Sequence, residues 1–532
     1  MKHFYKQFLF TLCILLTGLS AVTAQTIVVP ENINGTANFA YTFINDFIDA
    51  DTTASGIRRN NVYLLKAGGV YYFTAEATWS FNVTLRATGD VNLLGKPYVD
   101  RFNKTGGTVL PNVYRGTGSL TLDGLYFVMG ENGANAAAYQ TTPISTFGIN
   151  KKFIITNCIL EKSRQGIMNI NGNGCSAFVT KNILRNFGDY GRFQGNGRLV
   201  DIRNTFSDSV VIRDNVVHNL LDRLYIGFRQ TGLNYFEFRS NTVFNHLGRH
   251  GMIQLRNTRK SVIVDNIFMN PSMMGSAPVL ADEQINFRNI RNYLISLDTV
   301  VAGASIDMRN NNIFYTPDVL NHFATSTIVT KPLVLSPEVV LLMKDTSKAY
   351  FTEVLTLNNI PDRAPALKFA IDAVRFRDSV GLQKMMVEDI FFKGGPFDKG
   401  YLYDFSKFDP CIGANTTSYK AASDGGPIGS RFLCTYRTST EAVAINPYLE
   451  FDVEPNPASD YTSFKFTLTK TSDVNITVYD YQGKKVATVF EGTKSAGIQE
   501  VRWDNLSRLA KGMYLANIQT AEGRMISKII IQ

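Results

Sequence analysis

Much of the chain consists of short runs in which apolar and polar residues alternate, broken at close intervals by Gly, Asn and Asp. A period of two marks strands with one buried face, and no clear apolar stripe at helical spacing runs through them. The runs also repeat. The phrase apolar-x-x-Asn-x-apolar recurs as "IITNCIL" (Asn157), "FVTKNIL" (Asn182), "VIRDNVV" (Asn215), "FEFRSNTVF" (Asn241), "VIVDNIF" (Asn266) and "DMRNNNIF" (Asn312). The spacing is close to 25 residues apart from two longer intervals, which predicts one structural coil per repeat with insertions in two of them. Helical solenoids are excluded by the strand-type texture. Short strands stacked turn upon turn predict a parallel β-helix, in which no coil buries its apolar face without neighbours above and below. The repeated Asn suits a tight bend, where it tolerates left-handed backbone and where stacked amides hydrogen-bond along the axis.

On these motifs, residues from about 100 to 435 resemble the right-handed parallel β-helix proteins of the pectate-lyase-like group, from "SLTLDGLYF" (119–127) to "GGPIGSRF" (425–432). The earlier "NNVYLLKAGGVYYF" (60–73) resembles the opening coils of uncharacterised Bacteroidetes β-helix proteins. After "NPYLEFDVEPNP" the texture changes. "EPNPASD" (454–460), "VNITVYDYQGKKV" (474–486), "GIQEVRWDNLSRLAKGMYLANI" (497–518) and the terminal "SKIIIQ" resemble, in order, the C-terminal sorting domain of type IX secretion cargo. "NITVYD" and "KKVATVF" around "YQG" read as a hairpin in a small β-sandwich. A carbohydrate-binding or adhesive sandwich is the alternative, and the motif order, which runs to the last residue, favours sorting. The expected fold is all-β: a β-helix over 25–440, a linker over 441–451 and a sandwich over 452–532.

Composition then places the chain. Lys2 and Lys6 before an apolar run that ends in small residues at Val22-Thr23-Ala24 read as a signal peptide over 1–24, followed by a secreted or surface-held protein. Of the cysteines beyond it, Cys158, Cys175, Cys411 and Cys434, the pairs 158/175 and 411/434 are open to bonding, and buried free thiols fit equally well. The formal net charge is +9, and residues 151–270 carry 17 Lys or Arg against 8 Asp or Glu, so the basic excess is regional.

That region holds three related phrases: "LVDIRN" (199–204), "LYIGFRQ" (224–230) and "GMIQLRN" (251–257). Alternation places Val200, Ile202, Ile226, Phe228, Ile253 and Leu255 inward. It places Asp201, Arg203, Tyr225, Gly227, Arg229, Gln254 and Arg256 outward, with Asn169 and Asn171 from "IMNIN" before them. Stacking then predicts one external column of Asn171, Arg203, Arg229 and Arg256 beside another of Asn169, Asp201, Gly227 and Gln254. Like charges one strand apart repel by roughly 1 kcal/mol per pair even in water, so the column requires anions. Asp201 and Glu237 are protein candidates, and an acidic substrate is the other source. Turns carrying His218, His246, Arg249 and His250 are expected at one rim.

The resemblance implies that this sheet is the floor of a sugar groove in which an arginine or lysine serves as base. It makes Arg229 and Arg256 groove cations, His250 and Arg249 proton-transfer candidates, and Arg203, Asn171, Asp201, Gln254 and Tyr225 substrate-binding residues. β-Elimination on an acidic polysaccharide is the favoured reaction. A noncatalytic glycan-binding or adhesive protein is the alternative, and glycoside hydrolysis a third, although no tight Asp-Asp pair stands out. No cofactor is expected: no dense Asp cluster supports calcium, although Asp189, Asp201 and Asp222 could meet. No phosphate loop or nucleic-acid motif is present, so the expected partners are acidic polysaccharide and the type IX machinery, with the chain a monomer.

Overall fold

The structure is a computed structural model that describes residues 26–31, 43–101, 112–129, 142–188, 197–248, 250–276, 293–343, 345–376, 408–434, 451–468, 471–480, 485–520 and 523–532. The signal-peptide reading lies outside these residues. The chain divides into two compact units, residues 1–434 and 435–532.

In the first unit, three parallel sheets of 10, 10 and 8 strands wind about one axis. One coil shows the plan. Cys175–Thr180 belongs to the first sheet, Ile183–Phe187 to the second and Arg198–Ile202 to the third, and the next coil repeats with Phe206–Arg213, Val216–Leu220 and Tyr225–Ile226. Because side chains alternate and coils stack in register, each sheet sends apolar residues inward in files that run from coil to coil. In the first sheet one such file runs Leu122, Ile155, Val179, Ile212, Phe238, Ile263. In the second it runs Phe127, Leu160, Leu184, Val217, Val243, Phe268, and all of these residues are buried in one continuous core. The architecture is the parallel β-helix that the repeat predicts.

The asparagine ladder sits at the bend between the first and second sheets. The Nδ2 of Asn182 donates to Oδ1 of Asn215 (2.9 Å), Asn215 to Asn241 (3.0 Å), Asn241 to Asn266 (3.2 Å) and Asn266 to Asn311 (2.8 Å). Two expected members are displaced by one residue. Cys158 fills the first slot, its N–H donating to Oδ1 of Asn182 at 2.8 Å, and Asn311 rather than Asn312 fills the last. The left-handed backbone expected of the ladder belongs instead to the residue before it: Asn157, Lys181, Asp214, Ser240, Asp265 and Asn310 all have positive φ, between 53° and 63°. The ladder residues contribute amides, and their predecessors turn the chain.

A second asparagine column, absent from the sequence reading, closes the second sheet. Asn186, Asn219, Asn245 and Asn270 follow paired positions in four successive strands, with φ between 51° and 57°. Here asparagine does take the left-handed bend itself.

Residues 408–434 form a strap on the outside of the second sheet. Oδ1 of Asp214 accepts from the backbone N–H of Arg431 (2.7 Å), Oδ1 of Asp265 from that of Ser423 (2.9 Å), and Glu353 from those of Thr417 and Ser418 (both 2.7 Å). A Cys411–Cys434 disulfide closes the strap, while Cys158 and Cys175 are buried free thiols. Among the described residues no helix is long and apolar enough to cross a membrane.

The second unit has a three-stranded and a four-stranded antiparallel sheet, with strand orders Phe451–Glu454, Tyr461–Leu468, Gly497–Asp504 and Lys485–Lys494, Ser472–Asp480, Gly512–Thr520, Gly523–Ile531. Phe464, Ile476, Val478, Ile518 and Ile529 fill its own core. The expected hairpin is present as Ser472–Asp480 paired with Lys485–Lys494.

Candidate functional site

The three arginine phrases lie on adjacent strands of the third sheet, as predicted, but the middle strand is shifted by one residue. Val200 pairs with Tyr225 and Asp201 with Ile226, and these pair in turn with Ile253 and Gln254. Tyr225 therefore points inward, fully buried, its ring centroid 4.6 Å from that of Phe236 and its hydroxyl on Gln230. It cannot touch substrate in this arrangement, and Ile226 takes the outward place expected of Gly227. The reason is local. This strand is only Tyr225–Ile226, and the chain then turns, with the N–H of Gln230 donating to the carbonyl of Gly227 at 2.9 Å. A slip of one residue reverses every side chain. Beyond this turn the N–H of Asn204 donates to the carbonyl of Arg229 (3.0 Å), which brings Arg229 level with Arg203 again, in a row beside Asn171 of the preceding coil.

The arginines are still brought together, through Asp201. This carboxylate is 1% exposed, and its Oδ2 accepts from Nη1 of Arg198 (2.9 Å), Nε of Arg203 (2.9 Å) and Nη1 of Arg229 (3.4 Å). Its Oδ1 is buried without a partner. Arg198, buried at the start of its strand, also lies 3.8 Å from Oδ2 of Asp222. Oδ1 of Asp222 lies 2.7 Å from Nδ1 of His250 and 3.8 Å from Nε of Arg223. Burial pushes the Asp222 carboxyl up, but Arg223, His250 and Arg198 together outweigh it and hold the group well below the usual carboxylate range. Burial lowers Arg223 to about 10 against the pull of Asp222, and lowers Arg229 as well. Arg256 lies at the far end of the row, with Nη1 on the carbonyl of Phe228 and Nε 3.6 Å from Asp298. Asp201 is flanked by Asn169 on one side and Ile226 on the other, with Gln254 one strand beyond; Asn169 and Gln254 are buried, and Oε1 of Gln254 has no partner.

Asp201 thus supplies the counter-charge expected of it. Glu237 does not, because it lies on the first sheet with Arg213, Arg239 and Tyr235. His218 is not at the rim: it is buried on the outside of the second sheet, stacked on Phe244 at 4.7 Å with Phe408 of the strap beyond. Arg249 and Asp189 lie outside the described residues. Arg198, Arg223 and Asp298 join the site without a sequence motif to mark them, and Asp222 takes a central place that its turn position does not announce. Asp409 approaches Cys411 and Cys434, but those sulfurs are bonded to each other, which leaves no thiolate for a metal.

His246 supports this cluster from behind. Its Nδ1 accepts from the N–H of Ser272 (3.2 Å), so Nε2 carries the proton donated to the carbonyl of Asp222. Burial lowers its pKa to about 4. The unfolded chain, with histidine near 6.5, binds more protons between these values, so stability is complete above pH 6.5 and is lost as pH falls toward 4. We expect the urea midpoint to drop across that window by an amount equivalent to about 2–3 kcal/mol, and His246→Gln to flatten the drop.

A family model for the secretion system C-terminal sorting domain matches residues 452–532. No curated protein matches the chain. Residues 452–532 are a type IX secretion sorting domain, and they direct this protein to the cell surface or the extracellular space.

Proposed function

We propose that the exported β-helix binds an acidic polysaccharide along the outer face of its third sheet, and that the reaction for which the site is equipped is β-elimination. The observation that carries this reading is the charge balance. Among the described residues, five guanidiniums, of Arg198, Arg203, Arg223, Arg229 and Arg256, share the three carboxylates Asp201, Asp222 and Asp298. The surplus lies where solvent reaches: the side chains of Arg203 and Arg229 are 27% exposed and that of Arg256 is 38% exposed. A uronate carboxylate supplies the missing negative charge, and guanidinium suits it geometrically.

Elimination needs the uronate carboxylate neutralised and a base for the C5 proton. The base takes the C5 proton, the electron pair left behind forms the C4–C5 double bond, and the glycosidic oxygen departs from C4 and takes a proton from solvent. Arg203 and Arg256 are assigned the neutralising role. Arg229 is assigned the base role, because burial lowers its pKa while it stays partly open. A second reading, binding without turnover, is favoured by the fixed carboxylate that each of these arginines already touches, since such contacts keep them protonated.

The test uses the purified protein with polygalacturonate, alginate and sulfated glycans, following absorbance of unsaturated ends beside reducing ends. We expect absorbance to rise, and Arg229→Ala to abolish it while leaving retention on a polyanion column. Retention with both signals silent establishes the second reading. Neither turnover nor retention rejects the site.

A further inference from the structure

The outward row continues past the arginines toward earlier coils. The N–H of Arg203 donates to the carbonyl of Ile170 (2.8 Å), that of Asn171 to Thr146 (2.9 Å) and that of Phe147 to Gly116 (3.0 Å). These backbone bonds keep the coils in register and set Phe147, Asn171 and Arg203 side by side in three successive coils. Phe147 is 41% exposed. The guanidinium of Arg115, one coil earlier and on the outward position paired with Ser145, lies 5.2 Å from its ring centroid. Single exposed apolar residues are common. Phe147 differs by its place: an open ring, with a cation beside it, in line with the cationic row.

We propose that Phe147 and Arg115 form a sugar-stacking subsite at one end of the groove, so that the ligand is a polymer reaching from Arg203 to Phe147 rather than a mono- or disaccharide. The inference rests on the acidic-polysaccharide reading above. At the strand spacing of about 4.8 Å, Phe147 lies about 10 Å from Arg203, with Asn171 between them to hydrogen-bond the intervening hydroxyls. An aromatic face attracts the C–H face of a pyranose, and Arg115 meets that sugar's carboxylate. No chemistry occurs at this end. Its contribution is uniform binding, which lowers KM without changing kcat.

The test is calorimetric titration of the whole protein with oligogalacturonates and oligoalginates graded from dimer to decamer, comparing wild type with Phe147→Ala and Phe147→Tyr. We expect wild-type affinity to climb with length until the chain reaches Phe147. Phe147→Ala is expected to bind the long oligomers about three- to tenfold more weakly and the dimers unchanged, with Phe147→Tyr restoring the difference. A Phe147→Ala protein that binds long oligomers as wild type does, or weakens all lengths equally, overturns the subsite alone. A folded wild type that binds no oligomer of either series overturns the polysaccharide reading beneath it.

Discussion

Asp201→Asn is expected to lower the stability of the β-helix by about 3–5 kcal/mol, and polygalacturonate is expected to restore part of the loss. The substitution changes shape little. It removes the one negative charge on which Arg198, Arg203 and Arg229 converge, leaving three neighbouring guanidiniums, one of them almost wholly buried, without their shared counter-ion. Removing one partner of a buried ion cluster is costly because the remaining charges were desolvated on the assumption of a partner. The vacated position then suits an external anion better than before. Urea unfolding with and without polygalacturonate reads both effects, and the ligand should raise the variant's midpoint more than that of wild type. Equal midpoints for the two proteins would show that Asp201 does not neutralise the row.

The second large effect is expected at the asparagine ladder. Asn215 accepts at Oδ1 from both the N–H and Nδ2 of Asn182, and its Nδ2 donates to Oδ1 of Asn241 and to the carbonyls of Val179 and Arg213. Asn215→Ala deletes these bonds and strands groups of two neighbouring coils in a site that water does not reach. Each stranded buried group costs about 1–3 kcal/mol, so a total near 4–5 kcal/mol is expected. A control separates mechanism from site: Lys181→Gly, at the left-handed residue before the preceding ladder position, removes no ladder bond and should leave the midpoint almost unchanged. If Asn215→Ala costs under 1 kcal/mol, the ladder is not a principal source of cohesion between coils.

The sequence made the architecture legible because strand stacking repeats the same constraints in every coil, and repetition shows through noise. It blurred wherever one residue type satisfies two neighbouring constraints. In "RNNNIF" three consecutive asparagines suit both the left-handed bend and the amide slot, so the pattern does not separate Asn312 from Asn311; in "TNC" the slot is filled by Cys158, while Asn157 turns the chain and accepts from Nζ of Lys96 (3.0 Å). Arg203 and Arg256 could be placed because their strands run at least to Ile202 and Leu255, next to them, whereas the strand before Arg229 ends at Ile226 and alternation no longer applies. Arg198, Asp222 and Arg223 were hidden for another reason. They stand at strand starts and turns, where charge is ordinarily solvated, and only the three-dimensional convergence on two buried carboxylates gives them meaning.

The strap decides what a cut between the two units would leave behind. Its last described residue, Cys434, is bonded to Cys411, and the first compact unit ends at that same residue. Proteolysis anywhere beyond it severs the sorting domain without freeing an end of the winding, because the disulfide acts as a knot tied before the cut. A β-helix cut free at that point would keep the same closed strap as the whole chain.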